Sequence, residues 1–333
     1  MPASKFNYII TIHNKEQLIE QVIRAVLKCC GNHSHVYTIL DGCTDRTEKI
    51  IDSIIKQCTD VPITKVYTPD VHEILSINAG LKVSNQEGNG YNIILQDDVI
   101  LTDFMLEEKV TKLYEWAGPK LGFVSFRLGA NFAKDAVESN EVLPLTDYIE
   151  NAYGHGLPYA NVLLPGQFAY RTVPIKSPVC IPFTLIRSIG ILEEQLAPYM
   201  CDDFEYAIRS IQAGFRNGVF GIPFQSEVKW GTTRIKPDPR MSQIQERNMK
   251  KIREWHAKKI ADICSNVQNT EIYEIPSMFS EEDKILALTI SKKNREELQL
   301  IQRTRGWHTY NRIQHFLRGI FLKAALGKCI SEE

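Results

Sequence analysis

The sequence predicts an α/β fold: a mainly parallel central sheet flanked by helices, with a helical C-terminal extension. Three observations carry this. Short apolar runs rich in β-branched and aromatic residues alternate with amphipathic helical segments through the first 125 residues. Those runs are continuous, as in strands covered on both faces. Beyond Asp238 the pattern is helical only.

Taken in order, Phe6–Ile12 is the first predicted strand, and Lys15–Cys29 a helix with Leu18, Val22, Ala25, Val26 and Cys29 at helical spacing. His35–Leu40 is the second strand. Thr44–Cys58 is a helix with Thr44 or Asp45 as its cap and Ile50, Ile51, Ile54 and Ile55 on one face. Pro62–Thr68 and Tyr91–Gln96 are strands three and four, with a helix over His72–Gln86 between them. A helix over Leu101–Gly118 leads to a fifth strand, Leu121–Leu128.

Residues 128–178 read as a long irregular excursion with a short helix around Pro144–Asn151, and such segments inside a fold tend to carry function. Order returns at Val179–Leu192. A helix over Cys201–Phe215 follows, built on Phe204, Ala207, Ile208 and Ile211 and stopped by Gly214, and then a strand near Gly218–Phe224. The last part predicts a polar helix through Lys259, a connector near Asn266–Pro276, a helix from Glu281 and a final segment from Trp307. Residues 1–127, 128–237 and 238–333 are thereby expected to form two halves of one domain and an extension.

Composition is that of an ordinary soluble globular protein, with 44% hydrophobic and 24% charged residues among 333. A formal net charge of -1 provides no global attraction to nucleic acid, so none is expected as a partner. Eight scattered cysteines, without a C-x-x-C pair or a leader pattern, read as reduced thiols in a cytoplasmic protein. No apolar run approaches the ~18 residues needed to span a bilayer.

Chemistry concentrates at acid-bearing strand exits, where open parallel sheets bind ligands. Asp41 follows the second strand, Asp97 and Asp98 follow the fourth, and Asp202 and Asp203 open a later helix. Each admits a structural reading as turn, helix cap or dipole partner. Their order is more informative. "YIITIHNKEQLIEQVIRAV", "ILDGCTDRTEKII", "INAGLKV", "NIILQDDVIL" and "SIGILEEQL" with "CDDFEYAIRSIQAGF" together resemble the family-2 glycosyltransferases, over residues 6–127 and 178–225.

That resemblance implies the GT-A fold and a transferase that moves a sugar from a nucleotide diphosphate sugar, UDP-linked by preference, to an acceptor hydroxyl with inversion. It implies that Thr11, Asp41, Asp45, Asn78 and Asp97 contact the nucleotide and that Asp98 binds a divalent cation, Mn²⁺ or Mg²⁺. Asp203 then stands as catalytic base, with Asp202, Glu205 and Arg209 supporting the helix or acceptor. The chemistry agrees: a diphosphate leaving group is neutralised by a hard cation on carboxylate oxygens, and a separate carboxylate deprotonates the acceptor. Departures from the family pattern are Leu40 and Ile77, where an acid and an arginine are usual; "QDD" either keeps both acids of a D-D pair, the preferred register, or puts Gln96 in place of the first acid of D-x-D. The later metal-binding histidine is not evident, Lys229 and Trp230 standing in its neighbourhood, with Lys229 or Arg234 as an aid to the diphosphate.

The acceptor, a glycan or lipid-linked sugar in surface glycan or polysaccharide biosynthesis, is expected on 128–178. Tyr153, His155, Tyr159 and Tyr170 there would meet sugar rings, and Arg171 and Lys176 a carrier phosphate; a packed surface loop is the equal alternative for the segment. Residues 303–329 are basic, with Ile313, Phe316, Leu317, Ile320, Phe321 and Ala324 on one helical face. This fits either an amphipathic helix on the anionic inner face of a membrane or a helix docked on the domain. Two rival readings stand beside the transferase. One is a degenerate, non-catalytic member of the fold; the other is a sugar nucleotidyltransferase, which the glycine-free "TIHNKEQ" disfavours.

Overall fold

The computed structural model describes residues 4–58, 60–134, 136, 144–227, 230–231, 239–266, 268–276 and 278–304. The Rossmann-like first half follows the expected order: β1 (Lys5–Ile12), α1 (Ile19–Cys29), β2 (Ser34–Asp41), α2 (Thr47–Gln57), β3 (Ile63–Thr68), α3 (His72–Val83) and β4 (Gly90–Gln96). A short β5 (Ile100–Leu101), α4 (Leu106–Ala117) and β6 (Leu121–Ser125) complete it.

Strands β3, β2, β1 and β4 lie side by side and parallel, as the buried apolar runs require. Alternate residues of β1 face opposite cores. Tyr8, Ile10 and Ile12 join the cluster under α1 and α4, whereas Ile9 joins Ile39 and Ile94 in the cluster under α3. Gly80 lets α3 lie close: a β-carbon there would stand 2.5 Å from Cγ2 of Ile9 and 2.9 Å from Cδ1 of Ile39. That is a packing reason for the glycine in "INAGLKV".

Among the described residues the excursion holds five strands, four of which, β7 (Leu128–Phe132), β8 (Leu145–Asn151), β9 (Asn161–Leu163) and β11 (Val173–Ile175), form a second sheet in the order β11-β7-β8-β9. The short helix expected near Pro144–Asn151 is therefore strand β8. Tertiary pairing decides it, because β8 ladders antiparallel to β7 from Leu128↔Glu150 to Phe132↔Leu145. Strand β10 (Gln167–Tyr170) lies between β9 and β11 in sequence but joins the main sheet.

Next come β12 (Val179–Pro182), α5 (Phe183–Ile189), α6 (Asp202–Gln212), β13 (Arg216–Phe220) and β14 (Phe224–Gln225). The tail contains α7 (Met241–Ser265), β15 (Tyr273–Glu274) and α8 (Glu281–Thr304). The nine-stranded sheet has the order β15-β10-β13-β6-β12-β4-β1-β2-β3. It is parallel over its first-half strands and mixed beyond, because β12 is antiparallel to both β4 and β6. Strand β12 is reached through the excursion rather than through a crossover helix, so it enters from the opposite end.

This reversal positions the site. Val179 opens β12 opposite Ile94, so residues just before it sit beside the C-terminal end of β4. Helix α3 starts from the end of β3, and α6 leads into β13, which is parallel to β6. The helical starts and the strand exits thus share one rim.

Candidate active site

At the end of β4, both carboxylates are buried, Asp97 at 9% and Asp98 at 5% exposure. Asp97 Oδ2 accepts from the His13 amide at 2.8 Å, and Oδ1 lies 3.2 Å from Lys15 Nζ. The Lys15 ammonium also donates to the Trp230 carbonyl at 3.0 Å, tying this exit to the segment after β14. Burial pushes the Asp97 carboxyl up to about 6, against the pull of Lys15 and the His13 amide and with a push from Asp98. Thr11 is close by, its carbonyl accepting from the Asp97 amide at 3.1 Å.

Asp41 is engaged more fully. Its Oδ1 accepts from the Thr68 hydroxyl at 2.8 Å and the Val71 amide at 2.7 Å, and its Oδ2 from the His72 amide at 2.8 Å. A carboxylate has about four acceptor positions, which leaves roughly one for a ligand. Gly42, at φ +60°, permits the turn that follows; a β-carbon there would stand 2.6 Å from Cβ of Asp70. Asp45 accepts from the Thr47 amide and the Glu16 amide, each at 3.0 Å, so it caps α2 as its turn chemistry foretells. Although burial pushes it up, these bonds hold its carboxyl below the usual range. Asn78 is fully buried. Its amide donates to the Leu192 carbonyl at 2.9 Å and to Glu194 at 3.2 Å, and its Oδ1 accepts from the Leu192 amide at 3.1 Å. It fastens α3 to the loop before α6.

The second acid pair surrounds Lys176. Its ammonium donates to Asp202 and lies 3.5 Å from Glu73 Oε1 and 3.9 Å from Asp203 Oδ1. Asp202 is sealed, with 1% of its side chain exposed, whereas Asp203 keeps 15%. Of the pair, Asp203 is the one open to an incoming hydroxyl; Glu73, on the other side of the lysine, keeps 23%. Burial drives Asp203 well above the ordinary carboxylate range, with Lys176 pulling down and Asp202 and Glu73 adding to the rise. Glu73 is raised too, chiefly by burial. Despite burial, the three carboxylates hold the Lys176 ammonium more tightly protonated than an ordinary lysine. Gln96 closes the network: its side chain donates to Glu73 at 2.7 Å and its amide to Ser177 Oγ at 3.1 Å.

Glu205 and Arg209 stand apart. Arg209 Nε donates to Glu205 at 2.7 Å, and its other nitrogens donate to the Ile189 and Ile191 carbonyls. His256 of α7 lies 3.2 Å from Glu205, whose carboxyl these neighbours hold low against its burial. The pair holds a loop and a helix contact in place. His155 lies 2.9 Å from Arg127 Nη1, and Arg127 Nε donates to the Ser177 carbonyl. His155 lines a cleft of about 520 Å³ walled by Tyr153, by Phe224–Glu227 and by α8 through Ile290, Lys293, Asn294 and Glu297.

Residues 8–133 match the family model described as glycosyl transferase family 2. Over that stretch, which holds the Asp41 and Asp97–Asp98 strand exits, the chain is similar to the family-2 glycosyltransferases. The crystal structure of S. aureus TarS 1-349 is similar with a TM-score of 0.50 and 13% identity, covering 91% of this chain and 74% of that one. The mannosyltransferase PcManGT from Pyrobaculum calidifontis, in complex with GDP-Man and Mn²⁺, has a TM-score of 0.47 and 12% identity over 99% of this chain and 88% of its own. No curated protein matches the chain significantly. The fold is GT-A, and the protein is a glycosyltransferase.

Two expectations about acceptor binding change in the structure. Lys176 and Arg171, placed by sequence on an acceptor phosphate, are buried at 7% and 2% exposure and bonded internally. Arg171 donates to the carbonyls of Asp147 and Tyr170. Glu73, Lys15 and Gln96 are site residues that sequence reasoning did not assign. No signal marks them, since Glu73, Gln96, Lys176 and Asp202 meet across more than a hundred residues of chain. Lys229, Arg234 and residues 305–329 lie outside the described residues.

Among the described residues, no group of three or more His, Cys, Asp or Glu side chains is arranged to hold a metal ion. The hard oxygen donors at the β4 exit still fit a divalent cation that takes most of its ligands from water and substrate phosphate. None of the described helices is long and apolar enough to cross a membrane.

Proposed function

We propose that the protein is an inverting glycosyltransferase that moves a sugar from a nucleotide diphosphate sugar, UDP-linked by preference, to an acceptor hydroxyl of a surface glycan or polysaccharide precursor. The observation that carries this reading is the pair of distinct carboxylate sites on one rim, linked through Glu73. In this reading Thr11, Asp41 and Asp97 bear on the nucleotide directly, while Asp45 and Asn78 act through the frame they hold. Asp98 would hold Mn²⁺ or Mg²⁺, which when bound supplies positive charge against the diphosphate. Asp203, open to the rim and made basic by its surroundings, removes the proton of the acceptor hydroxyl. The cleft at His155 and Tyr153 is offered to the acceptor, whose sugar rings the aromatic groups would face. Residues 303–329 supply the contact with an anionic membrane surface where lipid-linked acceptors lie.

The reading is tested by thermal shift with UDP, GDP, dTDP and CMP, each with and without Mn²⁺. UDP is expected to stabilise the chain most, and more with Mn²⁺ than without. Asp98→Ala should lose the Mn²⁺-dependent part by at least about tenfold in affinity, or 1.4 kcal/mol. Stabilisation by none of the four nucleotides would sink the assignment.

A further inference from the structure

The Lys176 side chain, 7% exposed, is more deeply buried than the Asp203 carboxylate 3.9 Å from its ammonium, which keeps 15%. We propose that Lys176 is a positioning residue for Asp203: it gathers Asp202 and Glu73 around one buried positive charge and so presents Asp203 to the acceptor as the proton-accepting carboxylate. This rests on Asp203 being the base of the reaction above.

The contact distances rank the three acids. Asp202 takes the direct hydrogen bond, Glu73 lies at 3.5 Å and Asp203 at 3.9 Å. Asp203 therefore feels the charge without taking the ammonium's direct hydrogen bond, and the backbone amide of Lys176 also faces it. The lysine itself is held on both sides of the next residue. Ser177 Oγ accepts from the Gln96 amide at 3.1 Å, and the Ser177 carbonyl accepts from Arg127 Nε. Lys176 thus stands at a junction of β4, the start of β12, α3 and α6.

Charges that face Asp203 come from each packed element. They are Lys176 ahead of β12, Asp202 beside it on α6 and Glu73 on α3. The His256–Glu205–Arg209 group on α7 and α6 closes on itself and is bonded to the 189–191 loop. Three carboxylates against one ammonium leave an excess of negative charge. Removing the ammonium and removing a neighbouring carboxylate must then shift proton affinity at Asp203 in opposite senses. A lysine that only braces the fold predicts no such opposition.

The experiment uses the full chain with Lys176→Met, Lys176→Arg, Glu73→Gln and Asp203→Asn. UDP release from UDP-glucose, UDP-galactose and UDP-GlcNAc is followed from pH 5 to 9 with Mn²⁺, and UDP affinity is measured by calorimetry. UDP affinity should stay within about twofold in every variant. The acid limb of kcat should move up by about 1–3 pH units in Lys176→Met. It should move down in Glu73→Gln and stay in place in Lys176→Arg. If Lys176→Met does not fold, the downward shift in Glu73→Gln decides alone. Unmoved limbs, or a tenfold loss of UDP affinity in folded Lys176→Met, would overturn the proposal. Undiminished turnover in Asp203→Asn would instead remove the parent assignment of the base.

Discussion

Asp97–Asp98 and Asp202–Asp203 are chemically the same dipeptide, yet the fold treats them differently. The first closes a parallel strand, where Asp97 meets one lysine and one backbone amide. The second opens helix α6 and shares its lysine with a third acid, Glu73. Burial raises Asp97 to about 6, against the pull of Lys15 and the His13 amide. Burial also raises Asp203, and there two neighbouring carboxylates, Asp202 and Glu73, add to the rise, which suits a group that must take up a proton. What separates the two pairs is the count of neighbouring charges of each sign, which the dipeptide itself does not reveal.

The largest effect expected from breaking this comparison belongs to the second pair. Asp203→Asn keeps the shape and removes the base, so sugar transfer should fall by roughly 10²–10⁴-fold. Calorimetric UDP affinity should stay unchanged, because the first pair is untouched. A parallel loss of nucleotide binding would show that the two sites do not divide the work.

Lys15 provides the matching test of the first pair. It and Asp97 have 14% and 13% of their side chains exposed, so Lys15→Met leaves a nearly buried carboxylate unmatched. The cost should be about 3 kcal/mol, read from chemical denaturation. Its pH dependence has a definite sign. A carboxyl raised to about 6 contributes stability that is complete below its unfolded value and lost as pH rises through 6. Without Lys15 the folded value climbs further, so the deficit of the variant against the parent should be larger at pH 8 than at pH 5. An equal deficit at both would remove Lys15 as the charge that holds Asp97 ionised.

Legibility in the sequence followed the same division. Strands β1 to β4 and their helices were readable because buried parallel strands are continuous apolar runs and local periodicity fixes the helices. The acids at their exits were readable by position. Strand β8 was not, since its seven residues, burial pattern mixed, take their form from β7 across the sheet. Nor was Lys176 readable as an interior residue: it is a lone charge in "VPIKSPVC" and acquires its carboxylates only when β12 inserts beside β4. Gln96, read as a departure from an acidic pattern, has a local cause in the fold. Its amide donates to Glu73, where another carboxylate would add like charge.

Asp45 provides the smallest and sharpest contrast, because sequence resemblance and geometry give it different tasks. Resemblance aligns it with an acid that meets the nucleotide. In the fold its Oδ1 accepts from the Thr47 amide in the first turn of α2, and its Oδ2 accepts from the Glu16 amide ahead of α1. Both oxygens therefore join the two helix starts that flank the rim. Asp45→Ala should cost about 1 kcal/mol, the usual value for a lost cap, seen as a lower midpoint in thermal denaturation. UDP affinity in the variant should remain within about twofold of the parent at saturating Mn²⁺. If affinity instead falls tenfold while the midpoint holds, Asp45 touches the nucleotide and the cap is incidental. If both fall together, the frame and the ligand are coupled through the loop from Gly42 to Thr47. Asn14 is the residue to vary next in that case, since its Oδ1 accepts from the Thr44 amide at 2.7 Å and would carry the coupling to β1.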